Sequence, residues 1–259
     1  VCAVSYLNTV PLVWGLLRDA AQRDLFDLRF ALPSACADQL ASGEADIGIV
    51  PVIEMGRQKL DFFHNCGIAS LGPVRSILLI SQVPFDQIKT LATDSGSRTS
   101  VMLARIILTE KFGCDPQLIS HTPDLPAMLK LADAALLIGD AALRVDPAAL
   151  PFATLDLGEQ WTELTGLPMV FAVWAGRKQY IREPYGQALL DSCRYGLGRI
   201  EEMVAHEAPA RGFSAELVRE YLTRFIRFEF AAPHYRAIDT YLQYAAALET
   251  TLVHGGLSA

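Results

Sequence analysis

Apolar and polar positions follow one another along the chain in blocks that predict strands and helices in turn. The opening VCAV is small or β-branched and predicts a strand over 1–5. It stops at a run of hydrogen-bonding side chains, Ser5, Tyr6, Asn8 and Thr9, just before Pro11. Leu12, Leu16 and Ala20 then recur four apart with Val13 and Leu17 beside them, which predicts a helix over 11–23. A short strand over 28–32 follows. Ser34 is placed to cap a short helix that Leu40 and Ala41 close and Gly43 ends. Residues 47–50 form a buried strand that stops at Pro51. This βαβαβ order predicts a parallel sheet with helices on its faces.

A second block of the same kind follows. A strand is predicted over 74–81 around the apolar run 77–80, and a short one over 91–93. The polar loop DSGSRTS (94–100) leads into an amphipathic helix over 101–112, with Val101, Ala104, Leu108 and Phe112 on one face. PSACADQLASGEADIGIVP near 34–51 and PDLPAMLKLADAALLIGDAAL near 123–142 look like one architectural unit used twice. Two similar α/β lobes are therefore expected, the first from 1–82 plus 177–259 and the second from 83–176. Hinges are expected near 82–84 and 173–176, where MVFAVWAG (169–176) crosses back, and 180–259 reads as mostly helical. Ligands of open α/β sheets bind beyond the carboxyl ends of strands and between lobes, which is where Ser5 to Thr9 stand.

Composition narrows the choice of partner. The 259 residues are 51% hydrophobic and 20% charged, with net charge −7, so no clustered basic surface for nucleic acid is expected. A small anion is still compatible, because a helix N-terminus or a few local cations can hold one. Five cysteines lie far apart with no CxxC pair, which predicts reduced thiols and no zinc site. There is no apolar run of membrane-spanning length and no visible leader pattern, which sets the expectation of a cytoplasmic protein. The five histidines show no metal spacing, and no GxSxG elbow is present.

Five stretches carry candidate chemistry, each with a plainer alternative. Ser5, Tyr6, Asn8 and Thr9 offer neutral donors and acceptors for a polar ligand, or Asn8 and Thr9 merely cap the helix at 11. Ser95, Ser97, Arg98, Thr99 and Ser100 sit where a strand passes through a glycine loop into a helix. Free N–H groups and a dipole there suit a carboxylate, although Asp94 or Ser97 alone would serve as a cap. Ser76, beside Arg75, faces either the cleft or a neighbouring backbone group, and the local pattern favours the backbone. Gly139 and Asp140 end the second unit, with Asp140 a helix cap or a partner for a ligand hydroxyl. The turn from Thr165 to Pro168 lines a cleft wall or simply follows Trp161, a lobe-packing residue.

Taken together, SYLNTVPL, GEADIGIVPVIE, GPVRSILLIS, DSGSRTSVMLARIIL and WTELTGLPMVFAVWAG, in this order and spacing, resemble the menaquinone-biosynthesis chorismate dehydratases of the futalosine route. The likeness covers about residues 1–180 in motif detail. It implies a two-lobed α/β fold like type II periplasmic binding proteins, with a cleft between lobes and a helical C-terminal region. It implies conversion of chorismate to 3-[(1-carboxyvinyl)oxy]benzoate and water with no cofactor and no metal. Neither nucleic acid nor membrane is an implied partner, and the protein would act as a monomer or homodimer. Under the resemblance Asn8 and Ser76 become the catalytic candidates, and Ser97, Arg98, Thr99 and Ser100 the carboxylate clamp. Ser5, Tyr6, Ser95, Gly139, Asp140 and Pro168 complete the implied substrate contacts. Gly96 stands where serine is expected as often, which removes one hydroxyl. The competing expectations are a non-catalytic carboxylate-binding protein and the sister dihydroxynaphthoate synthase. A ligand-sensing regulatory lobe would carry a DNA-binding segment, and none is apparent. The tyrosine-rich stretch 235–244 offers a face for self-association.

Overall fold

The computed structural model describes residues 1–94 and 96–255, with side chains described as far as residue 250. The first sheet begins with β1 (Cys2–Val4), β2 (Arg29–Ala31), β3 (Ile47–Pro51) and β4 (Asp61–Ser70). The second holds β5 (Ile77–Ser81), β6 (Thr90–Asp94), β7 (Gln117–His121), β8 (Ala134–Ile138) and β9 (Ala153–Asp156). The chain then returns through β10 (Met169–Gly176) and later adds β11 (Arg227–Glu229). The orders are β11-β4-β10-β3-β1-β2 and β7-β6-β8-β5-β9.

The repeated unit is visible in these orders. In the first sheet β1 lies parallel to β2 and β3, with α1 (Val10–Arg18) and α2 (Pro33–Ser42) as the connecting helices. Short α3 (Ile53–Gln58) then follows β3. In the second sheet β6 lies parallel to β7 and β8, connected by α4 (Arg98–Phe112) and α5 (Leu125–Leu131). Each parallel trio is extended by an antiparallel strand, β10 beside β3 and β5 beside β8. α6 (Gly139–Leu143) starts where β8 ends, and α7 (Leu157–Thr165) starts where β9 ends. The helical tail is α8 (Tyr185–Leu197), α9 (Ile200–Arg211), α10 (Ala215–Glu220) and α11 (Ala232–Gly255).

Several expectations shift. β5 belongs to the second sheet and β10 to the first, so the crossings run through 71–76 and 166–168 rather than 82–84 and 173–176. The cause is pairing: Leu78, Leu79 and Ile80 align with Leu137, Leu136 and Ala135, and Val173 and Trp174 align with Val50 and Ile49. The strand expected from 74 starts at Ile77, because Arg75 is in the left-handed region (φ 66°). β4, for which the sequence pattern predicts no strand, pairs irregularly, with register shifts against both β10 and β11. α1 ends at Arg18, short of residue 23. α2 begins at Pro33, with Leu32 rather than Ser34 at the cap, while Gly43 (φ 82°) ends it as expected.

The tail packs inward. Trp161 is fully buried, donates from Nε1 to the Pro168 carbonyl (3.1 Å) and meets Tyr241 and Tyr244 edge-on. Tyr241 is thereby buried in the core of this chain, and Tyr244 packs half-buried against the same ring. α1 and α8 approach closely at two glycines. Gly15 lies against Ser192, where an added Cβ would sit 2.6 Å from the serine Cα, and Gly196 lies against the Pro11 carbonyl. The Ser192 hydroxyl donates to the Leu12 carbonyl (2.9 Å) and accepts the Leu16 N–H (3.1 Å), so it is built into the turn of α1. Because α1 follows directly on the loop from Ser5 to Thr9, this contact also fixes the loop. Gly15→Val forces a branched side chain into that contact. It is expected to lower stability by roughly 1–3 kcal/mol in chemical denaturation, the usual cost of overpacking.

Candidate functional site

Between the two sheets lies a partly enclosed cleft, whose atom-free space together with the open solvent at its mouth is about 540 Å³. Its apolar walls include Ile49, Ile68, Ile77, Ile138 and Phe171, and its polar lining is Tyr6, Asn8, Ser76, Ser97 and Ser100. The first lobe contributes the loop after β1 and the second contributes the crossing before β5 and the start of α4. The carboxyl ends of β1, β6 and β8 therefore converge on one space, as expected for open α/β sheets.

Ser76 is held by its neighbours on both sides in sequence and space. Asp156 accepts the N–H groups of Val74 (2.9 Å), Arg75 (2.6 Å), Gly158 (2.9 Å) and Glu159 (3.2 Å). One carboxylate thus ties the crossing to the N-terminus of α7. Burial pushes its pKa above the usual aspartate value, and the four N–H groups oppose that shift. The Arg75 guanidinium donates to the Ala142 and Val145 carbonyls, which offsets the cost of its positive φ. The Ser76 carbonyl then accepts the Gly139 N–H (2.8 Å), and its hydroxyl accepts from Tyr221 (2.8 Å).

Asn8 sits in a 3-10 turn spanning Leu7–Thr9. Its Oδ1 is buried without a hydrogen-bond partner. Capping does not account for it, because no side-chain cap bond forms at α1. The turn is pinned from the second lobe, where Asp140 accepts the Leu7 N–H (3.0 Å). Arg211 of α9 donates to Asp140, to Glu207 and to the Ser5 carbonyl. The Tyr6 ring lies against Gly139 (φ 57°), where an added Cβ would stand 3.1 Å from the ring. Burial first, then Asp94 and Asp140, raise the Tyr6 pKa, so its phenol stays a neutral donor.

At α4 the Ser97 hydroxyl does not cap its own helix but donates to Ser100 Oγ (2.8 Å). The N-terminus of a 15-residue helix thus opens beside two cleft-lining serines, which is favourable ground for a carboxylate.

The remaining expected contacts lie elsewhere. The Arg98 side chain pairs with Asp38 (2.9 Å) and Glu54 (3.2 Å) and is not among the residues that line the cleft. Thr99 is buried, with its hydroxyl accepting the Ile53 N–H and its carbonyl accepting from Tyr241. The Ser5 side chain is exposed, Asp140 serves the junction described above, and Pro168 lies under Trp161. Ser95 lies outside the described residues. Tyr221 and Arg211 carry no local signal in the sequence, because both reach their partners by tertiary packing, Arg211 from the last residue of α9 and Tyr221 from the π turn after α10. Among the described residues no group of three or more His, Cys, Asp or Glu could hold a metal ion, and no described helix is long and apolar enough to cross a membrane.

Two lobes, two mixed sheets and a cleft between them define the periplasmic-binding-protein-like architecture. An Archaeoglobus fulgidus structural-genomics protein matches with TM-score 0.78 at 14% identity, covering 96% of this chain and 97% of that one. The periplasmic aliphatic sulphonate binding protein of Escherichia coli matches with TM-score 0.63 at 15% identity, covering 97% and 86%. Residues 1–247 match the family described as menaquinone biosynthesis. A chorismate dehydratase of Thermus thermophilus is 30% identical over 246 residues, 88% of each chain. The chain belongs to this menaquinone-biosynthesis family and is an enzyme of that biosynthesis.

Asp156→Asn would turn the acceptor facing the Arg75 N–H into a donor. It is expected to lower stability by about 1–3 kcal/mol, the cost of an unsatisfied buried group, measurable by urea denaturation. Unchanged stability would show that Asp156 does not hold the crossing.

Proposed function

We propose that this enzyme is a chorismate dehydratase of the futalosine route, forming 3-[(1-carboxyvinyl)oxy]benzoate and water. The observation that carries this is the pairing, in one cleft, of neutral hydrogen-bonding groups with an open helix N-terminus. Chorismate has two carboxylates and a ring hydroxyl: one carboxylate suits the Ser97–Ser100 end of α4, and the ring hydroxyl suits the Asn8–Ser76 pair. The enzyme acts in the cytoplasm, on a free small molecule, as a monomer or homodimer.

Dehydration breaks the C–H bond at the ring carbon bearing the ether and the C–O bond at its hydroxyl-bearing neighbour. The C–H electron pair becomes a ring double bond, the hydroxyl leaves, and it combines with the released proton to give water. Aromatisation supplies much of the driving force. Tyr6 is the one titratable side chain among the described lining residues, and burial keeps its phenol protonated, so it is not available to take the proton. The substrate's own enolpyruvyl carboxylate is therefore assigned as the proton acceptor. The protein holds the conformer in which that carboxylate reaches the C–H, and such placement is worth on the order of several kcal/mol. Closure of the lobes about the crossings at 71–76 and 166–168 excludes water while this happens.

Incubation with chorismate, followed by chromatography and mass, is expected to show loss of one water and a new aromatic absorbance. Asn8→Ala and Ser76→Ala are each expected to lower kcat by about 100- to 1,000-fold, the usual effect of removing a donor aimed at developing charge. Ser97→Ala with Ser100→Ala is expected to act mainly on KM, by roughly tenfold. Unchanged chorismate from folded protein would instead favour a carboxylate-binding protein or the sister synthase.

A further inference from the structure

Tyr221 is fully buried on a single π turn, Tyr221–Phe225, between α10 and β11. π turns inside helical stretches often mark functional positions. Its hydroxyl donates to Ser76 Oγ at 2.8 Å. A residue lining the cleft thus takes its partner from the helical tail. Burial keeps that partner protonated.

The direction of this bond fixes what Ser76 shows a ligand. Ser76 Oγ accepts from Tyr221, so its own hydrogen is free to point into the cleft. Asn8, which also lines the cleft, has Oδ1 as a buried acceptor with no protein partner. We propose that Tyr221 is a positioning residue that orders a hydrogen-bond chain from its own hydroxyl through Ser76 into the cleft, where Ser76 as donor and Asn8 Oδ1 as acceptor meet one ligand hydroxyl. A carboxylate, which only accepts, cannot satisfy both ends of such a pair, whereas a hydroxyl can. The chain therefore separates a hydroxyl subsite from the carboxylate subsite at α4. Polarisation along the chain also strengthens Ser76 as a donor to a departing hydroxyl. This assignment rests on the dehydratase activity proposed above for its kinetic consequences, but not for its geometry.

Tyr221→Phe keeps the buried ring and deletes only the hydroxyl. Its kcat on chorismate is expected to fall about 10- to 100-fold with KM within about threefold. The double variant Tyr221→Phe/Ser76→Ala is expected to match Ser76→Ala within about twofold, because Tyr221 acts through Ser76. Crystal structures of wild type and Tyr221→Phe provide a readout that needs no turnover. In them the Ser76 hydroxyl is expected to leave its wild-type rotamer once the tyrosine oxygen is gone. An unchanged Ser76 rotamer, or effects of the two substitutions that multiply, would overturn the chain. A wild type that leaves chorismate intact would overturn the dehydratase activity alone, and the rotamer comparison would still decide on Tyr221.

Discussion

Asp140 is the contact on which the shape of the cleft depends. It stands at the start of α6 in the second lobe, accepts the Leu7 N–H of the first, and is held by Arg211 of the tail. Three parts of the chain far apart in sequence meet at one carboxylate. Removing it would leave the half-buried Arg211 guanidinium with Glu207 as its one carboxylate beside the Ser5 carbonyl, and would release the Leu7 N–H of the turn that carries Asn8. The position of Asn8 relative to Ser76, and hence the donor and acceptor pattern of the cleft, follows from this junction together with the Asp156 anchor behind Ser76.

The chemistry proposed for this cleft uses fixed dipoles in place of charged side chains. The cationic groups nearest the cleft are engaged: Arg98 with Asp38 and Glu54, Arg75 with two carbonyls, Arg211 with Asp140 and Glu207. What remains for an anionic ligand is the open end of α4 and hydroxyl donors, which cost no reorganisation when charge develops. Apolar walls from Ile49, Ile68 and Phe171 strengthen those dipoles by excluding water. A substrate that brings its own base suits such a site, because the protein then has to supply only orientation and donors.

Much of the architecture was legible because its signals are local. Two copies of one helix–strand unit, the αL glycine at Gly43 and the apolar runs at 47–50 and 77–80 all depend on neighbours in sequence. The lobe boundaries were not, because whether the run 77–80 joins one sheet or the other is decided by pairing with β8 and β9, far along the chain. β4 was hidden by its irregular register. At the site, Asn8, Ser76, Ser97 and Ser100 could be singled out from loop composition and family resemblance. Arg98 could not be placed, since its direction depends on Asp38 and Glu54 across the fold. Tyr221 reaches Ser76 only through tertiary packing of the π turn after α10, and nothing around it in sequence announces that.

The most direct test of this account is a crystal structure of the Ser76→Ala variant with chorismate bound in the cleft. One substrate carboxylate is predicted at the N-terminus of α4 beside Ser97 and Ser100. The ring hydroxyl is predicted next to Asn8 Oδ1 and residue 76, with the enolpyruvyl carboxylate facing the ring C–H. A chorismate carboxylate paired with Arg98 instead, or a ring hydroxyl turned to solvent, would contradict it.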